Sequence, residues 1–246
     1  MARIIQSVEP KPFRSCLVEG RWDENLKLLK KQGYPFPSTV RDLFYAQIHT
    51  EDPEDPINSL GGYVKPFVIY PNGKDAKEFF LISYGEDNPL LRNPKNVTDT
   101  HADGKEVSIT QRSFDYFLKK ARDDPKKAVE TGVLLVRRDK LVGAISQKEF
   151  DKYFVSQFLA QDQARPYATL YLKRNKVKEV PLYFTNSEYV AEQQKPFVSP
   201  LWVRRLAGVS GLRGYSHNLL YSVNSRVFGV QVLPAEQAEK NLERKL

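Results

Sequence analysis

A phrase of nine residues recurs along the chain, and it limits the possible folds more than any other feature. Ile109-Thr-Gln-Arg-Ser-Phe-Asp-Tyr-Phe117 is answered by Ile145-Ser-Gln-Lys-Glu-Phe-Asp-Lys-Tyr153, with a shorter copy at Phe184-Thr-Asn-Ser-Glu-Tyr189. Each copy runs from an apolar residue to a Ser or Thr, then to an aromatic side chain four positions beyond the hydroxyl. A hydroxyl oxygen at a helix start accepts from the unpaired N–H groups of the first turn. Thr110, Ser146 and Thr185 are therefore expected as N-caps, with Glu149 and Glu188 closing capping boxes. Phe114, Phe117, Leu118 and Ala121 then share a helix face, and Phe150, Tyr153, Phe154 and Phe158 nearly do. Such faces are expected to pack on a sheet.

Strand signals lie between these helices. Tyr63–Tyr70 and Glu78–Tyr84 flank the turn Pro71-Asn72-Gly73 and read as a hairpin. Gly132–Arg137 and Lys140–Ile145 form a second pair, and Tyr167–Lys173 with Val177–Phe184 a third, turning at Arg174-Asn175. Gly85 to Lys105 reads as a polar loop, Ser225–Leu233 as a late strand and Ala235–Lys245 as a closing helix. The class is α+β, built as tandem β-β-α units with antiparallel hairpins and amphipathic helices on a sheet. Residues 59–246 are expected as one domain with related halves, about 59–145 and 146–246.

Residues 1–58 are expected as an N-terminal extension. Trp22 to Lys31 has Asp23 and Glu24 in its first turn and Gly33 as a stop, which suits a helix. A second short helix is expected from a Ser38 cap to His49. Thr50 to Pro56, with four carboxylates and two prolines, reads as an exposed linker.

The net charge of +8 sits wholly in the second half of the chain: residues 1–120 carry 17 basic and 17 acidic side chains. No acid occurs from Gln193 to Ala235, where Lys195, Arg204, Arg205, Arg213 and Arg226 alternate with Phe197, Trp202, Tyr215, Tyr221 and Phe228. The pairing of arginine with large aromatics is typical of interaction anchors. Trp202, Arg204, Arg205, Arg213 and Tyr215 are the first candidate partner-binding residues, on a segment expected to be extended and surface-lying. The second set is Lys173, Arg174 and Lys176, around the expected Arg174-Asn175 hairpin turn. An acidic surface or an extended segment of a partner protein fits this balance. The alternative is nucleic acid, with the cations on phosphates and Trp202, Tyr215 and Tyr221 stacking on bases.

Catalytic and metal chemistry has few carriers. Cys16 stands alone, and His49, His101 and His217 are far apart without ligand spacing. Gly208-Val-Ser-Gly-Leu-Arg-Gly214 lacks the Gly-Lys-Ser/Thr ending of a phosphate-binding loop. No catalytic residue, metal ligand or cofactor is assigned, and a non-enzymatic protein is expected. No apolar run approaches the roughly 18 residues of a membrane span. The first ten residues lack the apolar core and cleavage site of a targeting segment.

Two stretches carry a family resemblance. Val107-Ser-Ile-Thr-Gln-Arg-Ser-Phe-Asp-Tyr-Phe-Leu118, followed by Asp123-Asp-Pro-Lys-Lys-Ala-Val129 and Gly132-Val-Leu-Leu-Val136, resembles the first half of one family. Val180-Pro-Leu-Tyr-Phe-Thr-Asn-Ser-Glu-Tyr189 is similar to its second half. The family is the 22-kilodalton soluble component of the chloroplast inner-envelope translocon, with its cyanobacterial periplasmic relatives. The resemblance implies a chaperone-like import factor, or a basic linker subunit of an assembly, in a plastid or cyanobacterial setting. It carries no catalytic residue.

Overall fold

The computed structural model describes residues 2–8, 12–84, 87–204, 211–214, 220 and 222–233. Strands β1 (Arg3–Val8) and β2 (Phe13–Glu19) open the chain, followed by helices α1 (Trp22–Lys31), α2 (Val40–Ile48) and the single turn α3 (Pro56–Ser59). The hairpin strands are β3 (Gly62–Tyr70) and β4 (Phe79–Ser83). After them come α4 (Pro89–Arg92), α5 (Pro94–Ala102), β5 (Val107–Ser108), α6 (Gln111–Lys120) and α7 (Pro125–Thr131). The second half holds β6 (Val133–Arg137), β7 (Ala144–Ser146), α8 (Phe154–Ala160), α9 (Ala164–Pro166) and a π-helical segment, Tyr167–Leu172. It ends with β8 (Glu179–Phe184), α10 (Ser187–Glu192), β9 (Phe197–Arg204), β10 (Gly211–Gly214) and β11 (Arg226–Val232). The class is α+β, as expected.

The strands form one mixed sheet in the order β1-β2-β11-β3-β9-β10-β8-β7, with β4 and β6 branching from β3. The last strand returns to the first hairpin: β11 runs antiparallel to β2 from Arg226 opposite Glu19 to Val232 opposite Phe13. It also touches β3 in parallel at Tyr63.

Both faces of this sheet are covered, which explains why its strands read as unbroken apolar runs. Along β3 the side chains alternate. Val64, Val68 and Tyr70 join a core under α2, α7 and α8, while Tyr63, Phe67 and Ile69 join one under α1, α5 and α6. Strand β9 divides the same way, with Phe197, Leu201 and Val203 on one side and Val198 and Trp202 on the other. Gly214 marks the tightest backbone approach. A Cβ there would lie 2.5 Å from a Val68 methyl and 2.7 Å from the Phe184 ring. The buried Tyr70 hydroxyl donates to the Gly214 carbonyl and accepts from the Thr185 N–H, tying β3 to β10 and β8.

Several expectations change. The segment 1–58 supplies two strands of the sheet, and Phe13, Leu17, Trp22, Leu29, Leu43 and Phe44 lie in the cores. Thr39, one residue after the expected cap, accepts from the Asp42 N–H. The polar stretch 85–105 contains α4 and α5, each started by an Asx cap and a proline. Of the three expected caps, Thr110 accepts from the Ser113 N–H and heads α6. Thr185 directly precedes Asn186, which caps α10. Ser146 ends β7 without starting a helix: the Gln147 N–H extends the pairing to the Lys178 carbonyl, and the chain runs in turns until Phe154. Phe150 is fully buried on that turn, not on a helix. The pairs expected at 132–145 do not form either: β6 pairs with β4, and β7 with β8. The closing helix expected at 235–245 lies outside the described residues.

Candidate interaction surface

One end of the sheet gathers the strand termini that flank the acid-free stretch. Arg3 of β1, Glu19 of β2 and Arg226 of β11 meet there, beside Gly62 at the start of β3 and Arg204 at the end of β9. Glu19 is buried, and its two oxygens are shared out. Arg3 Nη2 donates to Oε1 at 2.7 Å and Arg226 Nε to Oε2 at 2.7 Å. Burial pushes the Glu19 carboxyl up, but the two guanidinium groups outweigh it and hold the carboxyl below its ordinary value. The Arg3 side chain remains 76% exposed beyond this bridge. An open depression lined by Arg3, Ile4, Glu19, Leu60, Asn224 and Arg226 lies over the cluster.

The connections at this end are pinned from below. Asn25 Nδ2 donates to the Gly20 and Ser225 carbonyls, at 2.8 and 2.9 Å, and the Gly20 N–H donates to the Ser225 carbonyl at 2.9 Å. Beneath them an aromatic row runs across the sheet. Trp22 meets Tyr63 edge-on at 5.8 Å, and Tyr63 meets Trp202 edge-on at 4.6 Å. Gly61 makes room for the last ring, since a Cβ there would lie 2.8 Å from Trp202 Nε1. Trp202 is therefore half-buried and braced in a central strand, where the sequence suggested a surface-lying segment.

Trp202 pairs with Arg213 across β9 and β10, and Arg204 pairs with Gly211, so three of the five first-set residues stand on adjacent strands. Arg205 and Tyr215 lie outside the described residues, as do His217 and Tyr221.

The second set has a different fate. Lys173, Arg174 and Lys176 sit at the end of a helical run, not on a hairpin. Tyr167, Ala168, Tyr171 and Leu172 are buried at helical spacing, and Tyr167 stacks on Phe44 at 3.7 Å and on Tyr171 at 4.7 Å. Packing against α2 thus overrides the strand propensity of this segment. Arg174 reaches the C-terminus of α2, where its Nη2 donates to the Gln47 and Thr50 carbonyls at 3.0 and 2.9 Å and its Nη1 to the Ile48 carbonyl at 3.2 Å. A cation there satisfies orphan carbonyls at the negative end of the helix dipole. Lys176 takes a left-handed conformation, φ +56°, that ends the run.

Reactive groups are scarce among the described residues. Burial pushes the Cys16 thiol up to about 11, so it stays protonated. No group of three or more His, Cys, Asp or Glu among the described residues could hold a metal ion. No helix among them is long and apolar enough to cross a membrane. Arg3, Glu19 and Asn25 were not singled out by sequence reasoning. Arg3 and Glu19 are sixteen positions apart and meet only through the β1–β2 pairing, which no local motif announces.

No family model matches this chain, and no curated protein does. A solved structure does. It is described as showing the accommodation of massive sequence variation in Nanoarchaeota by the C-type lectin fold. The two share 13% sequence identity with a TM-score of 0.61, over 92% of this chain and 98% of the other. The likeness is one of fold. It overturns the resemblance to the chloroplast translocon component, whose motifs were strand, cap and helix phrases. Such phrases recur wherever a capped helix leaves a sheet, and Ser146 shows that here one of them does not even make a helix. The plastid or cyanobacterial setting had no other support.

Proposed function

We propose that the chain is a non-enzymatic binding protein that holds an acidic segment of a partner protein at the Arg3–Glu19–Arg226 end of its sheet. One observation carries this reading. Arg3, Arg226 and Arg204 stand at the ends of β1, β11 and β9 on one side of the sheet, and Glu19, the one carboxylate among the described residues at these strand ends, is already taken up by Arg3 and Arg226. The surplus there is positive, and the backbone beneath it is fixed by the Asn25 hydrogen bonds and the Trp22–Tyr63–Trp202 row. A rigid support lowers the ordering cost of binding.

The structural neighbour agrees with such a division of labour. In Nanoarchaeota the C-type lectin fold is said to accommodate massive sequence variation, which requires a frame that tolerates change in the residues it displays. A partner protein is favoured over nucleic acid because Trp202, the first stacking candidate, is half-buried, packed between Tyr63 and Gly61.

The reading is tested with a labelled polyglutamate peptide and a single-stranded oligonucleotide, each titrated against the full chain across a salt series. The peptide is expected to bind the wild type. Changing Arg204 and Arg205 together to Glu is expected to abolish that binding, with thermal unfolding recorded alongside to report that the variant is folded. Equal binding by both proteins at low salt contradicts the reading. Preference for the oligonucleotide, with a steep fall in affinity as salt rises, would establish the alternative.

A further inference from the structure

A second surface lies away from the sheet end, on the outer side of α1. A groove of about 450 Å³ runs between Leu26, Lys27 and Lys30 of α1, the Pro35-Phe36-Pro37 segment, and the α4–α5 corner at Leu91 and Lys95. That volume is in the usual range of ligand-binding clefts. Its floor is apolar, made by Leu26, Leu91 and the prolines, and Phe36 stands in its wall 50% exposed. Phe36 is held between Pro35 and Pro37 and leaves half of its surface open on the groove.

The rim is basic. Lys27, Lys30, Arg92 and Lys95 line the groove, and the Lys65 ammonium sits 4.9 Å over the Phe36 ring. Lys95 and Arg92 have carboxylate partners, Asp99 and Asp87, outside the groove. Lys27 lies 4.0 Å from Asp23, while Lys30 and Lys65 make no ion pair among the described residues. Asp23, the one carboxylate among the described residues that line the groove, is buried and accepts from the Thr98 hydroxyl at 3.2 Å. The groove thus offers an apolar slot and unspent positive charge at its edge.

We infer that this groove docks an acidic peptide segment of a partner protein that carries one large apolar side chain. The side chain fills the slot between Phe36 and Leu91, and the flanking carboxylates meet Lys30 and Lys65. A buried apolar anchor with a polar, charged rim is the arrangement from which most interface energy comes. This inference stands apart from the reading of the sheet end, since the two surfaces share no residue.

The test uses two labelled peptides of equal net charge, one with a tryptophan flanked by glutamates and one with alanine in its place. Fluorescence anisotropy is read with the full chain. The tryptophan peptide is expected to bind the wild type at least about tenfold more tightly than the alanine peptide. Phe36→Ala is expected to remove that difference, and Lys30→Glu to weaken both peptides. Phe36 and Lys30 are exposed, so unfolding temperatures should stay near the wild type and report a folded protein in both variants. Equal affinity for the two peptides overturns the inference, as does a tryptophan preference that survives Phe36→Ala. Loss of the tryptophan preference in the Arg204→Glu, Arg205→Glu protein but not in Phe36→Ala would place the peptide at the sheet end. That outcome rejects the groove while leaving the proposed function standing. Displacement of the peptide from the groove variants and the wild type alike by an oligonucleotide would also reject it.

Discussion

Between Tyr171 and Val180 four cations surround the end of a helical run, and between Gln193 and Ala235 five cations are spread over three strands and their connections. In sequence both stretches look like basic interaction surfaces. In the first, the best-placed cation is consumed by the fold: Arg174 closes the C-terminus of α2. In the second, the apolar half of the alternation is consumed instead, because Phe197, Val198, Leu201 and Val203 fill the two cores. Arg226, at the start of β11, stays half-buried at the edge and pairs with Glu19. The difference lies in how the charge is used: Arg174 spends its donors on backbone carbonyls, whereas Arg3 and Arg226 share the single charge of Glu19 and leave a positive surplus.

Leu201→Ala probes the comparison with the largest expected effect. If the acid-free stretch is a central strand, removing this fully buried side chain should cost ~2–5 kcal/mol in denaturant unfolding. A loss below ~1 kcal/mol would return the segment to the surface and erase the contrast.

Glu19→Gln comes next. Its folded carboxyl lies below the ordinary value, so its contribution is present above the unfolded-state pKa and fades as pH falls through the folded one. The variant should lose ~1–3 kcal/mol at neutral pH, as for hydrogen bonds to a charged group. It should converge with the wild type in acid. A loss that does not change with pH would mean that the two arginines do not depend on this charge.

Arg174→Ala carries the smallest effect, about 1 kcal/mol, by freeing the last carbonyls of α2. Lysine in its place should recover part of the loss, because it keeps the charge but not the fork of donors. No change in stability, together with weakened acidic-peptide binding, would make Arg174 an interaction residue and reverse its half of the comparison.

Much of the fold was legible where periodicity and local chemistry agree. Helix α1 runs from Trp22 to Lys31 as its acidic first turn and Gly33 suggested, and the hairpin of β3 and β4 follows its aromatic and β-branched runs. Misreadings arose where long-range packing decided. Tyr167 to Leu172 has strand-like residue types, yet its buried set has helical spacing and stacks on Phe44. The first 58 residues looked detached because their strand partner, β11, lies more than 200 positions away. At the candidate site, Trp202, Arg204 and Arg226 were legible from composition. The bridge of Arg3 and Glu19 was not, because it exists only after β1, β2 and β11 align.

The most direct measurement is amide hydrogen exchange of the full chain with and without bound polyglutamate peptide. The account predicts added protection at Leu60–Gly62, Trp202–Arg204 and Val223–Arg226, with none at Lys173–Val177. Protection centred on Lys173–Val177, with the sheet end unchanged, would contradict it.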